Sequence, residues 1–274
     1  MDTAWRAGED PVVGVVDRDE ATSDAADVGS RLETDALEAA LAGDATVVGG
    51  DLEDVLAAEP TVLVTAGEAP LSAAARAGVD VPVLPVGPVD GIESADRERL
   101  PAALAAAIEG DAVRRTHPVL GVEIEPAAES GASELEGRER ALFDVTLVTD
   151  EPARISEYGV HSRGETVATF RADGVVAATP AGSHGYASTV DAPQLSSAVD
   201  AVAVAPIGPF VTQTRQWVLP DDGLAVTVER EEGDVALVVD GHSVGTVSLD
   251  STVTVAAVGT LEALSVPAER LGRE

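Results

Sequence analysis

The sequence predicts an amino-terminal α/β domain with a parallel, Rossmann-like sheet, followed by an all-β sandwich. Three observations predict it. Short, continuous apolar runs alternate with helical patterns from residue 11 to residue 108, as in a parallel sheet covered on both faces. After residue 111 the helical patterns give way to closely spaced strand-like runs. Hydrophobic residues make up 45% of the 274 residues but aromatics only 3%, so Val, Ala and Leu must build the layers.

The elements follow in order. Residues 11–16 read as an apolar strand, 21–41 as a helix, 45–48 as a second strand and 51–58 as a second helix with Asp51 as N-cap. Residues 61–64 form a third strand that leads through 65–70 into a helix over 71–77, which Gly78 can terminate. A fourth strand over 81–84 and a fourth helix over 95–108 complete this part. The later strands are read at 119–124, 142–148, 155–160, 166–171, 175–178, 199–205, 215–219, 224–229 and 235–239. Leu224, Val226 and Val228 alternate with Ala225, Thr227 and Glu229, the mark of a half-exposed antiparallel strand. Asp240-Gly241 supplies a hairpin turn. Residues 123–140 read as an exposed loop, and 252–258 as a last strand before a short polar tail. The domains so defined are 1–112 (α/β, nucleotide-binding), 113–250 (β sandwich) and 251–274, a C-terminal segment able to return to the first domain.

Charge narrows the function classes. The formal net charge is −32, from 49 acidic residues and 17 basic ones. All the basic residues other than His are Arg. The acids are dispersed among regular apolar runs, which argues for a folded protein with an acidic skin rather than a disordered tail. Repulsion of this size is screened to within about 3 Å at 1 M salt, so we expect a salt-rich cytoplasm such as that of a halophilic archaeon. Nucleic acid and anionic membranes are excluded as partners by the same charge. No run reaches the roughly 18 apolar residues needed to cross a bilayer, and the amino terminus lacks the pattern of a signal peptide. A cytoplasmic protein is the expectation. The absence of Cys removes thiolate chemistry and Cys-based metal sites, and His117, His161, His184 and His242 show no metal-ligand spacing.

Three loops could hold chemistry. Gly49-Gly50-Asp51 and Ala66-Gly67-Glu68-Ala69-Pro70 each lie at a strand-to-helix junction, where free backbone N–H groups can bind an anion. For Gly49-Gly50-Asp51 the plainer reading is loop punctuation with an N-cap. The third stretch runs from Asp173-Gly174 through Thr179-Pro180-Ala181-Gly182-Ser183-His184-Gly185-Tyr186. Small residues there permit close backbone approach, and hydroxyls and Tyr can bond to and stack on a nucleotide.

The pattern Asp-Gly-x-x-x-x-Thr-Pro-x-Gly-Ser-x-x-Tyr, followed by a strand ending Ala205-Pro206-Ile207, resembles the nucleotide-binding loop of NAD kinases. Ala141-Leu142-Phe143-Asp144-Val145 is similar to that family's Ala-Leu-Asn-Asp/Glu-Val segment. Leu237-Val238-Val239-Asp240-Gly241 is similar to its Val-Asp-Gly strand end, where a plain hairpin corner is the simpler reading. Strand order places Ala66–Pro70 at the family's Gly-Gly-Asp-Gly-Thr loop. The resemblance covers nearly the whole chain and implies the family's fold. It also implies phosphorylation of the 2′-hydroxyl of NAD by ATP with Mg²⁺, which is NADP biosynthesis, and a homodimer or homotetramer.

The resemblance further implies roles for single residues. Glu68 stands at the aspartate that activates the hydroxyl, one methylene longer. Gly67 is the one retained glycine of that loop; Ala66 and Ala69 replace the others, and Pro70 replaces the threonine. NAD or a related dinucleotide would be bound by Gly67, Phe143, Asp144, Thr179, Gly182, Ser183, His184 and Tyr186. Phe143 replaces an adenine-contacting Asn, and His184-Gly185 replaces Thr-Ala. No protein metal ligand is assigned. Three functions stay open: a working NAD kinase, a catalytically degenerate paralogue that binds a nucleotide or pairs with an active subunit, or, least favoured by the acidic surface and the Ser183/Tyr186 loop, a related kinase of the same architecture acting on a lipid or another diol.

Overall fold

A computed structural model describes residues 3–16, 32, 34–41, 43–125, 138–151, 154–211, 215–231 and 233–269. The chain divides into two compact units, residues 1–117 with 260–274, and residues 118–259. Each is taken by itself.

The first unit opens with a short strand, β1 (Thr3–Trp5), and then alternates strand and helix: β2 (Val12–Val16), α1 (Thr34–Leu41), β3 (Thr46–Gly50), α2 (Leu52–Ala57), β4 (Val62–Ala66), α3 (Glu68–Ala77), β5 (Val83–Val86) and α4 (Leu100–Glu109). A 3₁₀ turn at Arg97–Arg99 precedes α4. β2 pairs in parallel with β3 and β4, and β4 with β5, the arrangement expected of continuous apolar strands joined by helices. Every residue of β4 and β5 is buried. Leu100, Ala103, Leu104 and Ala107 put the buried stripe of α4 at the i, i+3, i+4, i+7 spacing. That stripe joins Val13, Val15, Val62, Val64, Leu84 and Val86 in one core. α3 and α4 both end on left-handed glycines, Gly78 and Gly110. The helix expected over 21–41 is described from Thr34 onward; residues 21–31 and 33 lie outside the described residues.

A long strand, β6 (Ala112–Glu125), carries the chain from the first unit into the second. Near its start Ala112–Arg114 pairs with β1. The second unit continues with β7 (Glu139–Ala141), β8 (Asp144–Thr149), β9 (Ser156–Ser162), β10 (Glu165–Ala172), β11 (Gly174–Ala178), a four-residue helix α5 (Tyr186–Thr189), β12 (Ala201–Ile207), β13 (Trp217–Pro220), β14 (Leu224–Arg230), β15 (Val235–Val239), β16 (His242–Val247) and β17 (Thr252–Ser265). One sheet here has the order β13-β12-β11-β8-β15-β16 and is wholly antiparallel. The other sets β10, β9, β14 and the first part of β17 side by side, also antiparallel. Inward residues of both sheets form one core, including Val145, Leu147, Tyr158, Val160, Leu224, Val226, Leu237 and Val239, as in a β sandwich. Tyr158, Phe170 and Trp217 bridge it; the last two rings stack at 5.7 Å. The end of β17 returns to the first unit, where Ala263 lies parallel to Val83 of β5.

β11 explains how the second unit holds its long loop. Val175 and Ala177 point into the sandwich. Val176 and Ala178 point to the opposite face, where Ala187, Ala192 and Leu195 cover them. A strand buried on both faces has no polar positions, and GVVAA has none. The stretch read as a loop over 123–140 is partly strand: residues 123–125 continue β6 and 139–140 begin β7, while 126–137 lie outside the described residues.

Candidate functional site

The candidate residues fall into two groups, one in each unit. In the first, β4 ends at Ala66 and α3 begins at Glu68, three residues earlier than the helical pattern predicts. Gly67 between them has φ +83° and ψ −170°, a conformation an L side chain adopts only with strain. Its N–H donates to the Val86 carbonyl at 2.9 Å. Gly67 is therefore the glycine this turn requires. Neither Ala66 nor Ala69 has positive φ, so their Cβ atoms carry no backbone penalty. Pro70 is the third residue of α3. It still falls in the first turn, where no intrahelical partner exists for its missing N–H.

Among the described residues the α3 amino terminus has no side-chain cap. At α2, by contrast, the Asp51 carboxylate accepts the Asp54 N–H at 2.9 Å, which gives Gly49-Gly50-Asp51 the plain N-cap role. Glu68 is exposed, and its Oε1 accepts the Asp90 N–H at 2.9 Å. Asp90 escaped the sequence reading because nothing local links it to residue 68. A carboxylate so held has a defined position, and one oxygen is engaged.

The second group is a knot of hydrogen bonds around residues 142–144. Thr179 accounts for much of it. Its N–H donates to the Phe143 carbonyl at 2.8 Å, its hydroxyl to the Leu142 carbonyl at 2.7 Å, and its Oγ1 accepts the Gly182 N–H at 3.1 Å. Gly182 packs directly on Phe143: a Cβ at this position would overlap the Phe143 carbonyl. The motif's glycine thus serves a close backbone approach between two segments 39 residues apart in sequence.

Ser183 is fully buried. Its hydroxyl donates to the Pro180 carbonyl at 2.8 Å and accepts the Leu195 N–H at 2.9 Å, so it fixes the loop to the segment that covers β11. Phe143 and Asp144 are buried too, and Asp144 Oδ1 accepts the Thr146 hydroxyl at 3.1 Å. His184 is exposed, with Nε2 3.3 Å from the Leu195 carbonyl. Tyr186, the first residue of α5, is 48% exposed. The structure brings Phe143, Asp144, Thr179, Gly182 and Ser183 into one bonded cluster, with His184 and Tyr186 at its exposed end.

The residue whose importance the sequence conceals is Asp240. One carboxylate oxygen accepts the N–H groups of Phe143 and Asp144 at 2.7 and 3.0 Å, and the other accepts the Leu142 N–H at 2.8 Å. Its own N–H returns a bond to the Asp144 carbonyl at 3.0 Å. The Asp-Gly pair does form the hairpin corner between β15 and β16, with positive φ at both residues. Asp tolerates that conformation well, so the turn signal accounts for the residue type and hides its second task.

Residues 142–264 match the family described as the ATP-NAD kinase C-terminal domain. Among curated proteins, the NAD kinase of Methanosarcina barkeri is 32% identical over 116 residues, 42% of this chain and 42% of that protein. The NAD kinase of Clostridium perfringens is 29% identical over 200 residues, 70% of this chain and 69% of that protein. The matched segment spans about two fifths of the length of the Methanosarcina relatives. Two solved structures share the fold. Yeast NADH kinase complexed with NADH superposes with a TM-score of 0.76 over 96% of this chain and 85% of that one, at 16% identity. An NAD kinase from Archaeoglobus fulgidus in complex with ATP gives 0.69 over 95% of each chain, at 18% identity. The fold is thus of the NAD kinase type, as the sequence predicts.

Proposed function

We propose that this chain is an NAD kinase-family protein that transfers a phosphoryl group from ATP to the 2′-hydroxyl of NAD. The observation that carries the proposal is a coincidence. The match to the ATP-NAD kinase C-terminal domain begins at residue 142, where the bonded cluster of Phe143, Asp144, Thr179 and Gly182 begins, and it contains all of that cluster. In this reading the 142–144 segment and Tyr186 hold the dinucleotide. Glu68, anchored by the Asp90 N–H, takes the proton of the attacking hydroxyl with its other oxygen. The uncapped start of α3 offers backbone N–H groups and the positive end of a helix dipole to phosphate. Such transfers rest on positioning and charge neutralisation, and the turn at Gly67 keeps its geometry without strain at either alanine.

Among the described residues no three His, Asp or Glu side chains cluster as a metal site. Mg²⁺ would therefore bind chiefly through the nucleotide's phosphates, where it neutralises their charge. No helix of the described residues is long and apolar enough to cross a membrane. A salt-rich cytoplasm, a haloarchaeal type of divergence and a homodimeric or homotetrameric assembly complete the proposal.

A second reading, a degenerate paralogue that binds without turnover, is favoured by Pro70 and by the Glu68–Asp90 bond. Pro70 brings no hydroxyl and no N–H to the turn, and the bond engages one oxygen of the only acid there. One experiment separates the two. Purified protein in molar KCl with ATP, Mg²⁺ and NAD is assayed for NADP. The first reading predicts turnover that Glu68→Gln reduces by at least about 100-fold, the scale on which misplaced positioning groups act. NAD binding without NADP selects the second reading, and failure of both removes the family assignment as a guide to function.

A further inference from the structure

We infer that Asp240 is a positioning residue of the proposed dinucleotide site: its carboxylate holds the Leu142–Phe143–Asp144 backbone in the geometry that presents the site. The inference rests on the reading of 142–144 as part of that site.

Three facts carry it. First, three consecutive N–H groups converge on one carboxylate at 2.7 to 3.0 Å. Hydrogen bonds to an ionised group are shorter and roughly twice as strong as neutral ones, and three of them on one anion fix both of its oxygens. Second, two of these three N–H groups, those of Leu142 and Phe143, lie outside the β ladder. β8 starts only at Asp144, although residues 142 and 143 are apolar and read as strand. Without the carboxylate, three buried or half-buried donors would lose their partners, each at a cost of about 1–3 kcal/mol. Third, the opposite edge of the same segment is held independently. Thr179 takes the Leu142 and Phe143 carbonyls, and Gly182 packs on the Phe143 peptide. Donors of 142–144 thus face Asp240 while the Leu142 and Phe143 carbonyls face Thr179, which pins the segment from both sides. A further hairpin bond, from Asp240 N–H to the Asp144 carbonyl, keeps the carboxylate in register with what it holds.

A corner residue that only turned the chain would not need this carboxylate. Asn also tolerates left-handed φ and forms Asn-Gly hairpin turns, so the turn survives Asp240→Asn. What the amide lacks is the charge and the second acceptor oxygen. The variant therefore separates turn from clamp.

The test uses the full chain in molar KCl, with NAD as probe. Backbone amide exchange is followed by NMR, and NAD affinity by calorimetry. In the wild type, the Leu142, Phe143 and Asp144 amides are expected to be protected although two of them lie outside any strand. In Asp240→Asn their exchange rises at least about 10-fold while amides of β11 and β14 keep their protection, and the Kd for NAD rises at least about 10-fold. A purely structural role would instead raise exchange throughout the second unit. Wild-type amides at 142–144 that exchange freely overturn the clamp without need of any variant, which covers the case of a variant that fails to fold. An NAD affinity unchanged in a folded Asp240→Asn overturns the positioning role alone. A wild type that binds no NAD overturns the site reading, and the positioning role with it.

Discussion

Two glycines among the 26 in the chain decide the local geometry of the candidate site, and they do so for different reasons. Gly67 is needed for its φ of +83° and has open space where a Cβ would go. Gly182 is needed for space, since its missing Cβ is where the Phe143 carbonyl sits. The variants should therefore differ. Gly182→Ala must push two backbone segments apart, at a cost of about 1–3 kcal/mol of stability, and it displaces the segment proposed to hold the dinucleotide. Gly67→Ala strains one turn by about 1–3 kcal/mol. Denaturant unfolding with and without NAD distinguishes them. Gly182→Ala should disturb the 142–144 segment and lose the ligand's stabilising effect as well as stability, whereas Gly67→Ala should lose stability through the turn between β4 and α3. Full NAD stabilisation in Gly182→Ala would mean that the contact at Phe143 has no bearing on the ligand.

Among the elements, β6 carries the clearest pH dependence. His117 on this strand is buried, and among the described residues its Nδ1 has no hydrogen-bond partner. Burial, with the Arg115 charge adding to it, lowers its pKa from 6.5 to about 4. The unfolded chain then binds a proton at His117 that the folded chain refuses between those values. Stability from this group is complete above pH 6.5, falls as pH drops toward 4 and levels off below. The loss is on the order of 3 kcal/mol. His117→Leu should flatten the unfolding free energy across pH 4 to 6.5 relative to wild type; an identical slope in both proteins would place the acid sensitivity elsewhere.

The elements also show how far the sequence could be read. Apolar runs such as residues 61–64 and alternations such as Leu224-Val226-Val228 were legible because burial imposes a period. β7 and β16 were not, since the stretches ERA and HSVGTV bury few side chains and are held by ladder bonds to β6 and β15. The site divides along the same line. Thr179, Gly182 and Tyr186 could be found as one short motif. Asp90 and Asp240 could not, because their roles are bonds to residues 22 and at least 96 positions away.

For the molecule as a whole, the net charge of −32 opposes both compaction and the approach of an anionic dinucleotide. Small and mostly aliphatic cores in each unit must offset the first effect. Screening within about 3 Å at 1 M salt relieves both, so molar KCl is the condition in which the proposed activity belongs. We propose that the Asp240-clamped segment and the loop ending at Tyr186 hold the adenosine half of NAD. A crystal structure of the NAD complex grown from molar KCl tests it most directly. We expect the adenosine against residues 142–144 with Tyr186 along its ring; ordered NAD bound elsewhere, with that segment bare, would contradict the account.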